Sequence, residues 1–179
     1  MPDIASIFLP HLRNIEPDGQ FTFSLPVVTS SAGNKYYAKL GRATESDQYI
    51  GEAESLKAIH AAAPGLAPRV FASGVVGGDS NEAARRPYFL SEYKDIGSLS
   101  VKSAEFLGER IATELHAFKS NKGYGFDVPT YCGATRQENG WFGTWEECYS
   151  SMIENLLLKL NGRRGSTELI AKAEEVRLR

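Results

Sequence analysis

Two adjacent segments indicate the fold: the stretch Lys35-Tyr36-Tyr37-Ala38-Lys39-Leu40 and the helical pattern that follows it over residues 47–63. The stretch itself is rich in aromatic residues and predicts a β-strand. Residues 21–25 alternate apolar and polar side chains, which is the period of a half-buried strand, and turn-forming residues fill positions 30–34. The two strands are therefore predicted to pair as an antiparallel hairpin, which a helix follows.

The predicted helix carries two carboxylates, Glu52 and Glu54, on different faces. On a helical wheel with Tyr49 at zero, Ala53 falls at about 40° and Glu52 at about 300°, so Glu52 lies within the apolar face. Glu54 falls at about 140° and faces water. A carboxylate inside the fold is unfavourable unless it meets a cation, and Lys39 is the nearest cation in the predicted topology.

Two interpretations of Lys39 and Glu52 follow from this pattern. In the first, Glu52 pairs with Lys39 and holds its ammonium at a fixed point, where it can bind a polyphosphate. In the second, Glu52 reaches the edge of the helix and Lys39 is a solvated lysine of the strand. Periodicity alone leaves both open.

The remaining segments divide the chain into a sheet-rich part and a helical part. Regular patterns predict strands at 68–72 and 88–93 and helices at 103–118 and 145–160. The glycine-rich segment 121–143 is predicted to be irregular. The predicted class is α+β, with an antiparallel sheet and one packed helix in residues 1–95 and a mainly helical part in residues 96–179.

Composition excludes several classes of function. The chain has 20 Lys and Arg against 22 Asp and Glu, which offers no electrostatic footprint for nucleic acid or an anionic membrane. No apolar run approaches the roughly 20 residues that span a bilayer, and the N-terminus lacks a secretory pattern. We therefore expect an intracellular, cytoplasmic protein. Its 3 histidines and 2 cysteines do not have the spacing of a metal site.

The order of these elements resembles the N-terminal lobe of the protein-kinase fold. In that lobe a strand lysine contacts the nucleotide phosphates and a helix glutamate orients it. Within this superfamily the chain resembles the fructosamine and ribulosamine kinases, or ketosamine 3-kinases. Their aromatic-x-Lys strand is similar to Tyr37-Ala38-Lys39, and their Gly-Glu-x-x-Ser-Leu helix is similar to Gly51-Glu52-Ala53-Glu54-Ser55-Leu56.

The most specific likeness lies further along the chain. One motif of this family is similar to Tyr124-Gly125-Phe126-Asp127-Val128-Pro129-Thr130-Tyr131-Cys132-Gly133. It is followed in the same order by Gln137, Asn139-Gly140-Trp141 and Trp145. The strand at 88–93 resembles the hinge strand on which adenine docks. The resemblance covers residues 19–160.

The resemblance implies a nucleotide site that uses ATP. Lys39 would hold the α- and β-phosphates, and Glu52 would pair with Lys39. The Glu92 carbonyl and a backbone amide, that of Tyr93 or Lys94, would bind the adenine edge.

The resemblance also implies a reaction. Members of the family transfer the γ-phosphate of ATP to the 3-hydroxyl of a ketosamine on a glycated protein lysine, which destabilises the adduct and lets the amine be recovered. Glycated proteins or small ketosamines are therefore the expected partners, whereas nucleic acid and membranes are not.

The chain departs from the family at two places. The phosphate-covering stretch keeps Gly19, but residues 20–26 lack the further glycines that let backbone amides approach phosphates. The His-Gly-Asp-x-x-x-x-Asn catalytic loop and the later metal-binding aspartate have no counterpart, since Asp127 is the only aspartate after Asp95. No catalytic residue and no Mg²⁺ ligand is therefore assigned in this chain, although the complete family fold uses Mg²⁺.

We expect the chain to be a C-terminally incomplete kinase, from a truncated or mispredicted gene product, without turnover by itself. The alternative is a nucleotide-binding or protein-interaction module of kinase-like fold that performs no chemistry. A relative that phosphorylates a small amine or an antibiotic would share the N-terminal lobe, but it would not account for the motif at residues 124–145.

Overall fold

The chain forms two compact units, residues 1–118 and residues 119–179. The computed structural model describes residues 3–77, 85–160 and 167–177. No helix within these ranges is long and apolar enough to cross a membrane.

The first unit extends beyond the boundary predicted at residue 95. It includes the helix α3 (Val101–Arg110) and the π-helical turn Ile111–Leu115 that continues it. The Arg110 guanidinium ties this helix to the unit by donating a 2.9 Å hydrogen bond to the Pro64 carbonyl. The boundary between two functional lobes stays a prediction.

The first unit is built on a five-stranded antiparallel sheet. Its strands are β1 (Phe21–Ser24), β2 (Val27–Ser30), β3 (Lys35–Leu40), β4 (Val70–Val76) and β5 (Arg86–Glu92). They lie in the order β1-β2-β3-β5-β4. With the helices on this sheet, the predicted α+β class is confirmed.

The predicted direct pairing of the first two strands is wrong. β2 lies between β1 and β3 and pairs with both of them. Leu25 and Pro26, joined by a cis peptide bond, form the two-residue turn between Ser24 and Val27. The sequence pattern missed β2 because Pro26 interrupts the alternation and the strand itself is only four residues long.

Two helices pack on opposite faces of the sheet. α1 (Ile4–Ile15) covers one face, where the buried core consists of Ile7, Phe8, Leu12, Val28, Tyr36, Ala38 and Leu90. α2 (Ser46–Ala62) confirms the predicted helix and meets Lys39 on the other face. Side chains of a strand alternate between its faces, so the burial of Tyr36 and Ala38 under α1 directs Lys39 toward α2.

The second unit combines short strands with two helices. Its elements are β6 (Tyr124–Gly125), β7 (Thr130–Cys132), β8 (Thr135–Gln137), β9 (Trp141–Phe142), α4 (Trp145–Leu160) and α5 (Thr167–Arg177). β6 pairs with β9, and β7 pairs with β8. The helix predicted over 145–160 is confirmed, whereas the segment predicted as irregular contains four strands.

Candidate functional site

A lysine and a glutamate from neighbouring elements form an ion pair on the α2 face of the sheet. The Lys39 ammonium, on β3, donates a hydrogen bond to the Glu52 carboxylate, on α2. The rings of Tyr49 and Phe89 flank the ammonium, with their centroids 4.5 and 5.3 Å from Nζ. The structure therefore shows the first of the two arrangements that the sequence allowed.

The pair is only partly shielded from solvent. The side chain of Lys39 is 24% exposed and that of Glu52 is 37% exposed. The prediction that Glu52 is buried is therefore wrong in degree, because the next residue, Ala53, fills the buried position instead. A lysine ammonium has three N–H donors, and partial exposure leaves donors within reach of an anionic ligand.

The other carboxylates of this region are held elsewhere. Glu54 accepts a 2.7 Å hydrogen bond from Lys57 on the same helix. Glu45, in the turn before α2, accepts hydrogen bonds from the backbone amide and the guanidinium of Arg42 at 2.7 and 3.0 Å. These bonds lower the pKa of Glu45. Glu52 is therefore the carboxylate that this helix offers to the strand lysine.

The predicted adenine-binding residues lie at the end of β5, the strand next to β3. In the register of these two strands, Phe89 is opposite Lys39 and Glu92 is opposite Tyr36. Glu92 is thus three residues from Lys39 along the sheet, which corresponds to about 10 Å. A separation of this size suits a ligand with a flat polar ring at one end and phosphates at the other.

Side-chain contacts hold the end of β5 in place. The Glu92 carboxylate accepts hydrogen bonds from the Lys94 ammonium at 2.7 Å and the Arg69 amide at 3.3 Å, and the Lys94 bond is the main cause of the lowered pKa of Glu92. The Glu92 carbonyl accepts a 3.2 Å hydrogen bond from the Ser91 hydroxyl. The Tyr93 ring lies 5.4 Å from a lysine ammonium of β3. The predicted adenine contacts would therefore use backbone atoms of a strand end that side chains fix.

Gly19 lies away from this ion pair. It precedes β1, whose four residues extend about 13 Å toward the turn at Leu25 and Pro26. That turn is the part of the hairpin next to Lys39, since the Pro26 carbonyl accepts a 2.8 Å hydrogen bond from the Ala38 amide. The structure therefore does not bring Gly19 to Lys39, and the turn, which the sequence analysis did not single out, lies there instead.

The described residues contain no cluster of metal-binding side chains. No group of three or more His, Cys, Asp or Glu side chains that could hold a metal ion occurs in residues 3–77, 85–160 and 167–177. Near the ion pair, the carboxylates of Glu45 and Glu52 are each bound by a cationic side chain. No chemical step is therefore assigned to a metal in this chain.

The motif in the second unit organises its own loop. The Asp127 carboxylate accepts hydrogen bonds from the Lys122 ammonium at 2.7 and 2.8 Å and from the Trp141 indole at 2.8 Å. These bonds, foremost those from Lys122, lower the pKa of Asp127. The Asn139 amide donates a 2.8 Å hydrogen bond to the Val128 carbonyl. Asp127 is therefore a structural acceptor in this loop.

Comparison with known proteins places the chain in a family. The sequence model described as fructosamine kinase matches residues 22–178. The chain belongs to the fructosamine kinase family. The fructosamine kinase match includes the positions of Lys39, Glu52 and Asp127, so the resemblance read from these segments is confirmed.

Curated relatives of this chain are named as kinases. The chloroplastic protein-ribulosamine 3-kinase of Arabidopsis thaliana is 30% identical over 127 residues, which are 70% of this chain and 36% of that protein. The protein of the same name from Oryza sativa subsp. indica is 30% identical over 151 residues, which are 82% of this chain and 41% of that protein. A Synechocystis protein assigned as a ketoamine kinase is 27% identical over 130 residues, which are 73% of this chain and 41% of that protein. The chain spans less than half the length of these relatives.

A solved structure supports the fold of this chain. It is the crystal structure of a protein from Haemophilus somnus 129PT that is assigned as a fructosamine-3-kinase. The superposition has a TM-score of 0.64 at 18% sequence identity and covers 92% of this chain and 59% of that one. At this identity the likeness shows the fold, and the predicted kinase-like fold is confirmed.

Proposed function

We propose that this chain binds ATP at the Lys39–Glu52 pair and forms the nucleotide-binding part of a kinase that phosphorylates ketosamines. One observation carries the proposal. The Lys39 ammonium is held by Glu52 on an accessible face of the sheet, about 10 Å along the sheet from Glu92 at the strand end. Because the chain belongs to a kinase family, we expect the nucleotide to be ATP.

Each residue of the proposed site has a separate role. Lys39 donates hydrogen bonds to oxygens of the α- and β-phosphates and offsets part of their negative charge. Glu52 holds the ammonium in place before the nucleotide arrives, which reduces the ordering that binding requires. The adenine amino group donates to the Glu92 carbonyl, and the backbone amide of Tyr93 or Lys94 donates to a ring nitrogen.

The proposed reaction forms a bond between the γ-phosphorus and the 3-hydroxyl oxygen of a ketosamine. It breaks the bond from the γ-phosphorus to the oxygen that bridges it to the β-phosphate, so ADP leaves and the hydroxyl proton is released. The names of the relatives, ribulosamine and ketoamine kinases, support this substrate class. Because the chain covers less than half of those proteins, the whole activity, its Mg²⁺ and the choice between glycated proteins and small ketosamines are part of the proposal. We also propose an intracellular location.

A second candidate is a kinase-like module that binds a nucleotide or a protein without chemistry. Its supporting observation is that the 179 residues contain no His-Gly-Asp-x-x-x-x-Asn sequence. Phosphoryl transfer by this fold needs an aspartate that orients the attacking hydroxyl. The last aspartate of the chain, Asp127, is bound by Lys122 and Trp141.

The chain by itself is expected to release no ADP above the uncatalysed rate when it is given ATP, Mg²⁺ and a ribulosamine. The reason is that the 179 residues contain no His-Gly-Asp-x-x-x-x-Asn sequence, whose aspartate orients the attacking hydroxyl in this fold. A coupled ADP-release assay measures this, and Lys39→Met serves as the control, because a contaminating kinase would give the same rate in both samples. Turnover that is present in the wild type and lost in Lys39→Met would contradict the expectation.

Nucleotide binding tests the proposed ATP site itself, which both candidates allow. ATP is expected to raise the melting temperature of the wild-type chain without Mg²⁺, because the hydrogen bonds from Lys39 to the phosphates need no metal. A thermal-shift titration measures it. A wild-type chain whose melting temperature ATP leaves unchanged would refute the nucleotide site and favour a protein-interaction role or an unstable fragment.

A further inference from the structure

The Lys39 ammonium is held by an aromatic ring as well as by a carboxylate. Tyr49 precedes Glu52 by one turn of α2, so both side chains face β3. The Tyr49 ring centroid lies 4.5 Å from Lys39 Nζ, which is the distance of a cation–π contact. Burial, with a smaller effect of Glu45 and Glu52, raises the pKa of the Tyr49 hydroxyl, so the ring is neutral at physiological pH.

The ring of Tyr49 lies close to a glycine, Gly41. A Cβ atom at Gly41 would lie 2.8 Å from Cε2 and 2.9 Å from Cζ of Tyr49, and 2.9 Å from Cγ of Pro87. The Gly41 amide is itself anchored, since it donates a 2.8 Å hydrogen bond to the Pro87 carbonyl. The ring can therefore occupy its place under the ammonium only because position 41 has no side chain.

We propose that Tyr49 is a positioning residue of the nucleotide site, which holds the Lys39 ammonium where it meets both Glu52 and the phosphates of ATP. The inference rests on the proposed function, since it concerns the same ammonium. Lysine is among the side chains with the most rotamer freedom, and a single carboxylate contact fixes only one end of it. The Tyr49 ring, which is closer to the ammonium than the Phe89 ring, adds a further contact.

A ring serves this purpose differently from a second acid. A second carboxylate would take another N–H donor and would repel the triphosphate. The face of a neutral ring attracts the ammonium through its quadrupole and adds no net negative charge. The donors that Glu52 does not use therefore remain available to phosphate oxygens.

The experiment compares ATP with adenosine in titration calorimetry of the full chain. Tyr49→Leu removes the ring and is expected to weaken ATP binding by about three- to tenfold, the effect of ordering one flexible side chain. Adenosine binding is expected to stay unchanged, because adenosine has no phosphates for Lys39 to contact. Tyr49→Phe keeps the ring face and is expected to bind ATP like the wild type.

Gly41→Ala keeps Tyr49 but displaces its ring. The ring lines a cavity of about 120 Å³ between α2, β4 and β5, which gives it space to move. We expect Gly41→Ala to lose ATP affinity selectively, as Tyr49→Leu does. If Tyr49→Leu does not fold, the result for Gly41→Ala decides.

The outcomes are distinct. Unchanged ATP affinity in Tyr49→Leu and Gly41→Ala, in a chain whose ATP binding depends on Lys39, would overturn the role of Tyr49 alone. Equal losses for ATP and adenosine would show a merely structural role and would also overturn it. Wild-type ATP binding that is absent or independent of Lys39 would instead refute the proposed function, on which the inference rests.

Discussion

Replacing Lys39 by methionine is expected to weaken ATP binding by about thirty- to 150-fold. The variant loses charge-assisted hydrogen bonds to phosphate, which contribute about 2–3 kcal/mol. It also leaves the Glu52 carboxylate facing the triphosphate without its cation. Methionine loses the cation–π contacts, but its unbranched chain of similar length can pack against the rings of Tyr49 and Phe89, so the fold is expected to stay intact.

Titration calorimetry of both proteins measures this loss. The matched control is Lys57→Met, which removes a lysine from the exposed side of α2, where it is bound to Glu54. Exposed pairs of this kind contribute little, so the control is expected to change ATP affinity by less than about twofold. Equal ATP affinity of Lys39→Met and the wild type would refute the proposal that ATP binds at Lys39.

Replacing Gly125 by alanine is expected to destabilise the second unit by about 3 kcal/mol or more. Gly125 has φ +146°, and a Cβ there would lie only 1.7 Å from the Gly140 carbonyl oxygen. The positive φ angle and the close carbonyl oxygen both belong to the backbone, so no side chain can move to relieve the strain or the clash. The pairing of Gly125 with Trp141 and the 3.1 Å hydrogen bond from the Phe126 amide to the Gly140 carbonyl would have to break.

Denaturant unfolding followed by tryptophan fluorescence measures this effect, since the only 2 tryptophans of the chain, Trp141 and Trp145, lie in the second unit. Gly133→Ala is the matched control. Gly133 has φ +58° but nothing within 4 Å of its Cβ position. Gly133→Ala is therefore expected to lower the free energy of unfolding by only about 1 kcal/mol, the cost of placing a side chain on a left-handed backbone. A loss for Gly125→Ala no larger than that of the control would show that the close approach is unimportant.

The sheet–helix contact of the candidate site could be predicted from sequence because its signals are local and periodic. The helical period separated Glu52 from Glu54. That assignment agrees with the observed contacts, since Glu52 meets Lys39 and Glu54 meets Lys57. Topology then left Lys39 as the nearest cation, so the ion pair was within reach of the sequence alone.

Other features of the fold and the site could not be predicted, because they are very short elements or depend on contacts between residues that are distant in sequence. β2 and the strands of the second unit have two to four residues each, too few for a period to appear. Gly19 was selected as a glycine near the expected loop, whereas the turn beside Lys39 is made by Leu25 and Pro26. Tyr49 was recognised only as part of an apolar helix face. The contact of Tyr49 with Lys39 depends on the absence of a side chain at Gly41, and a hydrophobic pattern within one helix does not show the space beside another element.

The most direct test of the account is the effect of Glu52→Gln on ATP affinity, measured in two backgrounds. In the wild type, Glu52→Gln is expected to weaken ATP binding, because the Lys39 ammonium loses its fixed position. In Lys39→Met, the same change is expected to leave ATP binding unchanged or to strengthen it, because it removes a negative charge that faces the phosphates. Glu54→Gln is the matched control in both backgrounds. An equal loss from Glu52→Gln in both backgrounds would contradict the claim that Glu52 acts on the nucleotide through Lys39.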